Sequence, residues 1–90
     1  MRLLNRTLEF AVVFAEFSNE QKIPANDLAQ MILLARESAK AYARMDEKKE
    51  HKRAEEVEEI AKKSGHTVEW NSMWPTLVKG KKTFTLPSYD

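Results

Sequence analysis

The chain has 90 residues, with 15 Lys and Arg against 14 Asp and Glu, and it contains no cysteine. This length fits one small domain, 1–90, with a single hydrophobic core. The formal charge of +1 argues against a protein that coats nucleic acid through one large positive field, and the lack of cysteine excludes disulfides, thiolate zinc sites and cysteine nucleophiles.

The first predicted element is a helix over 2–18. Leu4, Leu8, Ala11 and Ala15 recur at spacings of four and three residues, which is the period of an amphipathic helix. A polar stretch without apolar residues follows directly, so we expect the helix to end there.

The apolar run over 10–15 is much shorter than the roughly 20 residues that a membrane span requires. Glu9 and Glu16 flank this run, and no small-residue cleavage site of a signal peptide follows it. We therefore expect a cytoplasmic chain with no membrane partner.

A single long helix is predicted over 26–64. Apolar residues keep helical spacing from Leu28 onward, and the charged stretch 46–63 contains neither glycine nor proline to stop the helix. Gly65 is expected to end it in a left-handed cap. The alternative is a break near 46–51.

The last residues change to the two-residue alternation of a strand. This period predicts a strand over 66–70 and a β-hairpin over 76–86, with Gly80 in a type II′ turn and Trp74-Pro75 as an interruption between the two elements. The predicted fold class is α+β and helix-dominated. In it, an antiparallel pair of a short N-terminal helix and a long second helix precedes a C-terminal strand and small β-hairpin.

The sequence contains no motif that carries catalytic chemistry. Both glycines are isolated, so a phosphate-binding loop is excluded. His51 and Glu55 lie four residues apart and His66 is the second histidine, but a histidine among alternating charges is usually solvated. We predict no catalytic residues, no metal site and no cofactor.

The residues best suited to function are those of a protein interface. Tryptophan and methionine are enriched at the energetic centres of interfaces, and we expect at least one tryptophan, by preference Trp74, to be exposed or in an intermolecular contact. The predicted apolar anchors are Trp70, Met73, Trp74 and Pro75, with Lys79, Lys81 and Lys82 as a rim that steers association.

These features predict a non-enzymatic protein-binding module that acts stoichiometrically as an inhibitor or adaptor of a larger assembly. Its partner is a protein of unknown identity or a second copy in a homo-oligomer. Short chains of this kind, free of cysteine and of motifs, are typical of phage or mobile-element accessory proteins.

The alternative function is that of a nucleic-acid-binding accessory protein. Lysines beside tryptophans are the ingredients of single-strand binding. The acidic residues among and beyond the helical lysines argue against it, since they would repel a phosphate backbone. The residues that would carry this function are Lys79, Lys81 and Lys82 together with Lys48, Lys49, Lys52 and Arg53.

Overall fold

The computed structural model describes the backbone of residues 2–87 and the side chains of residues 11–87. Helices and a three-stranded antiparallel sheet make up this part of the chain, so the helix-dominated α+β class is confirmed. Among the described residues, no helix is both long and apolar enough to cross a membrane. The elements are α1 (Arg2–Gln21), α2 (Ala25–Ala43), α3 (Glu47–Lys63), β1 (Thr67–Asn71), β2 (Trp74–Lys79) and β3 (Lys82–Thr85).

Two helices occupy the range 26–64, so the expectation of one continuous helix is wrong. The chain breaks over 44–46, at the edge of the alternative break near 46–51. Met45 adopts a left-handed backbone with φ of 60°, which reverses the chain without a glycine. Asp46 then caps α3, because its side chain accepts a hydrogen bond from the Lys49 N–H at 3.2 Å.

Each helix ends in the same hydrogen-bonding pattern. After α3, the Gly65 N–H donates to the Lys62 carbonyl and the His66 N–H donates to the Ala61 carbonyl, which is a Schellman motif. Gly65 has φ of 78°, so its predicted left-handed cap is confirmed. Helix α1 ends the same way, with Lys22 at φ of 55° and its last residue three positions beyond the expected Ser18.

The antiparallel helix pair is α2 with α3, whereas the first helix was expected to pair along the second. The Ser38 hydroxyl donates to the Glu50 carbonyl at 3.2 Å, and the Arg53 Nε lies 3.5 Å from Glu37 Oε1. The three-residue turn folds α3 back onto α2, and the part of α1 whose side chains are described packs against the core through Phe14 and Phe17. There the Phe17 ring packs edge to face against Phe84, with centroids 6.5 Å apart.

The sheet closes the core over the helix pair. Val57 of α3 and Leu77 of β2 are fully buried in one apolar cluster, as the docking of the hairpin on α3 requires. The predicted hairpin register is confirmed, with Lys79 opposite Lys82. The buried members of this cluster are Ile23, Leu28, Met31, Ile32, Leu34, Ala35, Val57, Ala61, Leu77 and Leu86.

The segment 74–75 belongs to a strand and does not interrupt the sheet. Strand β2 begins at Trp74 and lies between β1 and β3, with Pro75 paired to Trp70. Strand β1 starts and ends one residue later than the predicted 66–70. The connection between β1 and β2 is therefore a two-residue turn, Ser72-Met73, where a longer loop was expected.

Replacing Met45 by glycine is expected to stabilise the domain by about 0.5–1 kcal/mol, because a left-handed backbone strains every residue with a Cβ. The side chain is 89% exposed, so its removal costs no packing. Chemical denaturation of the variant measures the gain. Met45→Ala keeps the strained backbone and is expected to stay near the parent, and an equal gain in both variants would contradict this explanation.

Candidate functional site

A groove runs between α3 and the β1–β2 turn, with a volume of about 340 Å³. This is the lower end of the volume of small-ligand pockets and holds one or two side chains of a partner. His51, Ala54, Glu55 and Glu58 reach the groove from one face of α3, because they recur at spacings of three and four residues. Trp70 and Met73 line it from the sheet, and Ser38 and Glu50 complete the lining.

Trp70 is held in the groove by a hydrogen bond to the helix. Its indole Nε1–H donates to Glu58 Oε2 at 2.9 Å, and the ring is half-buried against the core. Trp70 shares the helix-facing side of the sheet with Leu77. Leu77 pairs with Val68, which lies two positions before Trp70 on β1, and side chains two positions apart point to the same face. The bond to Glu58 fixes the ring while part of it stays in contact with solvent.

Met73 reaches the groove from a strained turn. Ser72 and Met73 have φ of 51° and 69°, the two positive values that a type I′ turn requires. Such turns prefer Asn-Gly, and a residue with a Cβ at either position raises the energy of the backbone. The Met73 thioether therefore reaches the groove from a backbone position at which glycine would make the fold more stable.

The groove carries unneutralised negative charge. Glu50, Glu55 and Glu58 line it. The ion pairs found among the described side chains join Arg53 to Glu37 and to Glu56, so they leave these three carboxylates without a cation. A cationic group of another molecule would complement this charge.

Two of the four predicted anchors do not belong to the groove. Trp74 lies on the opposite side of the sheet from Trp70, and its indole N–H donates to the Leu86 carbonyl at 2.8 Å. Pro75 is fully buried. Trp74 is half-buried and not exposed, because Leu86, which continues from β3 alongside Pro75, accepts its indole N–H. An intermolecular contact of Trp74 stays a prediction, whereas the buried Pro75 offers a partner no surface.

The predicted lysine rim is exposed but lies far from the anchors. Lys79, Lys81 and Lys82 surround the β2–β3 turn, whereas Met73 sits at the other end of β2. Six residues of strand separate the two ends by about 17–20 Å. Anchors and rim therefore do not form one site. Lys79 and Lys82 instead line a second cleft with Glu20, Gln21 and Phe84.

The residues of the alternative nucleic-acid site are also divided. Lys48, Lys49 and Lys52 are exposed near the start of α3, whereas the β2–β3 turn lies near its end, because Val78 pairs with Thr67 just after the helix. Arg53 donates to Glu56 Oε1 at 2.8 Å and lies against Glu37, so two carboxylates occupy it. The fold assembles no continuous basic surface from these two groups.

The histidines lie in different places. His51 is an exposed residue of the groove, whereas His66 is only 2% exposed and its Nε2 lies 3.4 Å from Gln21 Oε1 of α1. Among the side chains that the structure describes, no three His, Asp or Glu residues are placed to hold a metal ion. The pKa of His66 is lowered, mainly by desolvation and also by Lys79, while the Ser64 backbone acts in the opposite direction.

The free energy of unfolding is expected to fall as the pH drops below about 6.5, the ordinary pKa of histidine. In that range the unfolded chain binds a proton that buried His66 resists, so protonation favours unfolding. Denaturation at about pH 7.5 and about pH 5.5 measures this difference. His66→Gln should reduce it, and an unchanged difference in that variant would assign it to another group.

Comparisons of the chain with protein-family models, with curated proteins and with solved structures gave no match.

The acidic half of the groove was not predicted from the sequence. Trp70 and Met73 were expected in an interface, whereas the acidic residues of this helix counted only as an argument against nucleic-acid binding. The signal that could have found Glu55 and Glu58 is their spacing from His51 and Ala54, which puts all four on one face of a helix.

Proposed function

We propose that this chain is a protein-binding module without catalytic turnover, and that the groove beside Trp70 and Met73 is its binding site. The observation that carries the proposal is the composition of the groove. An indole ring and a thioether border three carboxylates that no described ion pair neutralises. Aromatic and methionine side chains are enriched at interface centres, and a polar rim surrounds such a centre.

The size of the groove favours an anchor residue of a partner over a small-molecule substrate. About 340 Å³ accommodates one or two side chains. A few anchoring side chains supply most of the energy of many protein interfaces, while the contacts around them exclude water. A domain of this size can therefore bind usefully through one such groove.

The hydrogen bonds within the described residues support binding over catalysis. The Ser38 hydroxyl, which borders the groove, donates to the Glu50 carbonyl, and no hydrogen bond of the described part links it to His51. A serine nucleophile requires a base within hydrogen-bonding reach. Stoichiometric action on a larger assembly, as inhibitor or adaptor, is the form of function that follows from binding alone.

The finer elements of the proposal follow from this mode of action. A phage or mobile-element accessory protein in the cytoplasm is the biological setting that we propose. Homo-oligomerisation is the alternative. It would draw on apolar residues that the monomer leaves exposed outside the groove, among them Val12 and Val13 of α1 and Leu33 of α2.

Selection of a random-peptide display library on the immobilised chain tests the proposal without a known partner. We expect selected peptides to lose binding to Met73→Gly and to Trp70→Phe, because both changes alter the groove. They should keep binding to the matched control Leu33→Ala, whose side chain is 55% exposed outside the groove. Peptides that bind all three variants alike, or a selection that yields no binder, would contradict the proposal.

A further inference from the structure

We infer that the groove accepts an arginine side chain of a partner protein. This inference rests on the proposed function, because it names the chemistry of the residue that the groove binds. It combines the charge of the lining, the orientation of Trp70 and the fixed position of one carboxylate.

The charge of the lining calls for a cation. Glu50, Glu55 and Glu58 line the same space, and no ion pair found among the described side chains joins them to a cation. Arg53, two residues before Glu55, is engaged by Glu37 and Glu56. His51 is the one lining residue that could carry positive charge. An incoming cation therefore meets excess negative charge, which favours its encounter and its orientation.

The aromatic ring selects a flat cation. A guanidinium group stacks on an indole face and interacts with its π electrons, whereas an ammonium acts as a compact and more strongly hydrated charge. Trp70 is suited to this contact because its N–H is already bonded to Glu58, which fixes the ring. Arginine is therefore favoured over lysine.

The carboxylates can meet several guanidinium donors at once. Glu58 uses Oε2 to accept the Trp70 N–H, so its orientation is set and Oε1 remains to accept from a ligand. Glu55 lies three residues earlier on the same face of α3, which places the two Cβ atoms about 5–6 Å apart. The five N–H donors of guanidinium can bridge carboxylates at this separation, and three ammonium donors do so less well.

The apolar part of the groove fits the rest of an arginine side chain. Ala54 and Met73 line the same space as the carboxylates. The three methylenes of arginine cover apolar surface while the charged end stays with its partners. A nucleic acid is disfavoured here, because its phosphates would meet the same carboxylates.

NMR titration of the ¹⁵N-labelled chain with the peptide acetyl-Leu-Arg-Leu-amide tests the inference. The control peptide replaces arginine by citrulline, which keeps the shape and removes the charge. We expect the Trp70 indole N–H resonance to shift, with affinity for the arginine peptide at least about tenfold higher. The Trp74 indole N–H, bonded to the Leu86 carbonyl, should not shift and serves as internal control.

Matched variants locate the charge that matters. Glu58→Gln can still accept the Trp70 N–H, so a loss of affinity of about threefold or more reports the missing charge. Glu55→Gln should act in the same direction. Glu59→Gln removes an exposed carboxylate of α3 outside the groove and should leave the affinity unchanged.

Equal affinities for the two peptides, or no shift of Trp70 with either, would overturn the inference. A dimer seen by sedimentation that Lys81→Glu and Lys82→Glu abolish would also overturn the inference. The groove would then bind the β2–β3 turn of a second copy. If library peptides bind through Met73 but contain no arginine, the proposed function stands and the arginine inference fails.

Discussion

Replacing Leu77 by alanine is expected to lower the free energy of unfolding by about 3 kcal/mol. Leu77 lies in the middle of the central strand, is fully buried and faces the helix pair. Removing its branched end leaves a cavity that sheet and helices cannot both close, and such changes cost about 2–5 kcal/mol. A domain of 90 residues is stabilised by only about 5–13 kcal/mol, so the loss is a large share of the total.

Urea denaturation followed by circular dichroism measures this loss. The matched control is Leu33→Ala on α2, because the same atoms are removed from a side chain that is 55% exposed. This control should change the stability by less than about 0.5 kcal/mol. Similar losses in the two variants would mean that the sheet does not pack on the helices as described.

Replacing Trp74 by alanine is expected to destabilise the fold by about 2–3 kcal/mol and to leave binding by the groove intact. The indole is half-buried against the core and donates to the Leu86 carbonyl, so the variant loses packing and leaves that carbonyl without its donor. The effect on stability reverses the expectation from the sequence, in which Trp74 was an interface anchor. Thermal unfolding and peptide binding, measured on the same sample, separate the two roles.

Trp74→Phe isolates the hydrogen bond in this prediction. The phenyl ring keeps most of the packing and removes the N–H donor, so a loss of about 1 kcal/mol is expected. If the Trp74→Ala variant bound no peptide but unfolded at the same temperature as the parent chain, the assignment of Trp74 to the core would be wrong.

The sequence could predict elements whose signals are local. The register of the β2–β3 hairpin follows from Gly80, which suits the first position of its turn and has φ of 64°. Gly65 likewise marks the end of α3, because it supplies the left-handed residue of a Schellman motif. In both places one residue determines the backbone without any distant contact.

The break between α2 and α3 could not be predicted as firmly, because a methionine occupies the left-handed position. The left-handed backbone of Met45 is unfavourable by itself, and the packing of α3 against α2 compensates for this strain. The available signals were Asp46 as a cap and the acidic Glu47 and Glu50 in the next turn, which favour a helix N-terminus. Because one continuous helix was preferred to the alternative break near 46–51, α1 and not α3 was expected to pair along α2.

The candidate site was half predictable for a similar reason. Trp70 and Met73 stand out by residue type, but Trp74 and Pro75 stand out equally. Trp74 separates from Trp70 only when the Ser72-Met73 turn sets which side of the sheet each residue occupies, whereas Pro75 shares the side of Trp70 and is excluded by its burial. That turn has no glycine or asparagine at its left-handed positions, so the sequence gives little sign of it.

The nearly neutral net charge of this chain hides a separation of charge along the sheet. The acidic groove lies at the β1–β2 turn, and the exposed lysines surround the β2–β3 turn at the other end. Partners of opposite charge would therefore approach different ends of the same molecule. Raising the salt concentration should weaken both kinds of encounter, since the groups are at the surface.

The central claim is that the groove binds protein, and the Met73→Gly variant tests it most directly. Glycine removes the thioether from the groove and also suits φ of 69°, so binding and stability should change in opposite directions. We predict that peptides selected on the parent chain lose at least about tenfold in affinity while the unfolding temperature is equal or higher. Undiminished affinity in a variant of undiminished stability would contradict the assignment of the groove as the binding site.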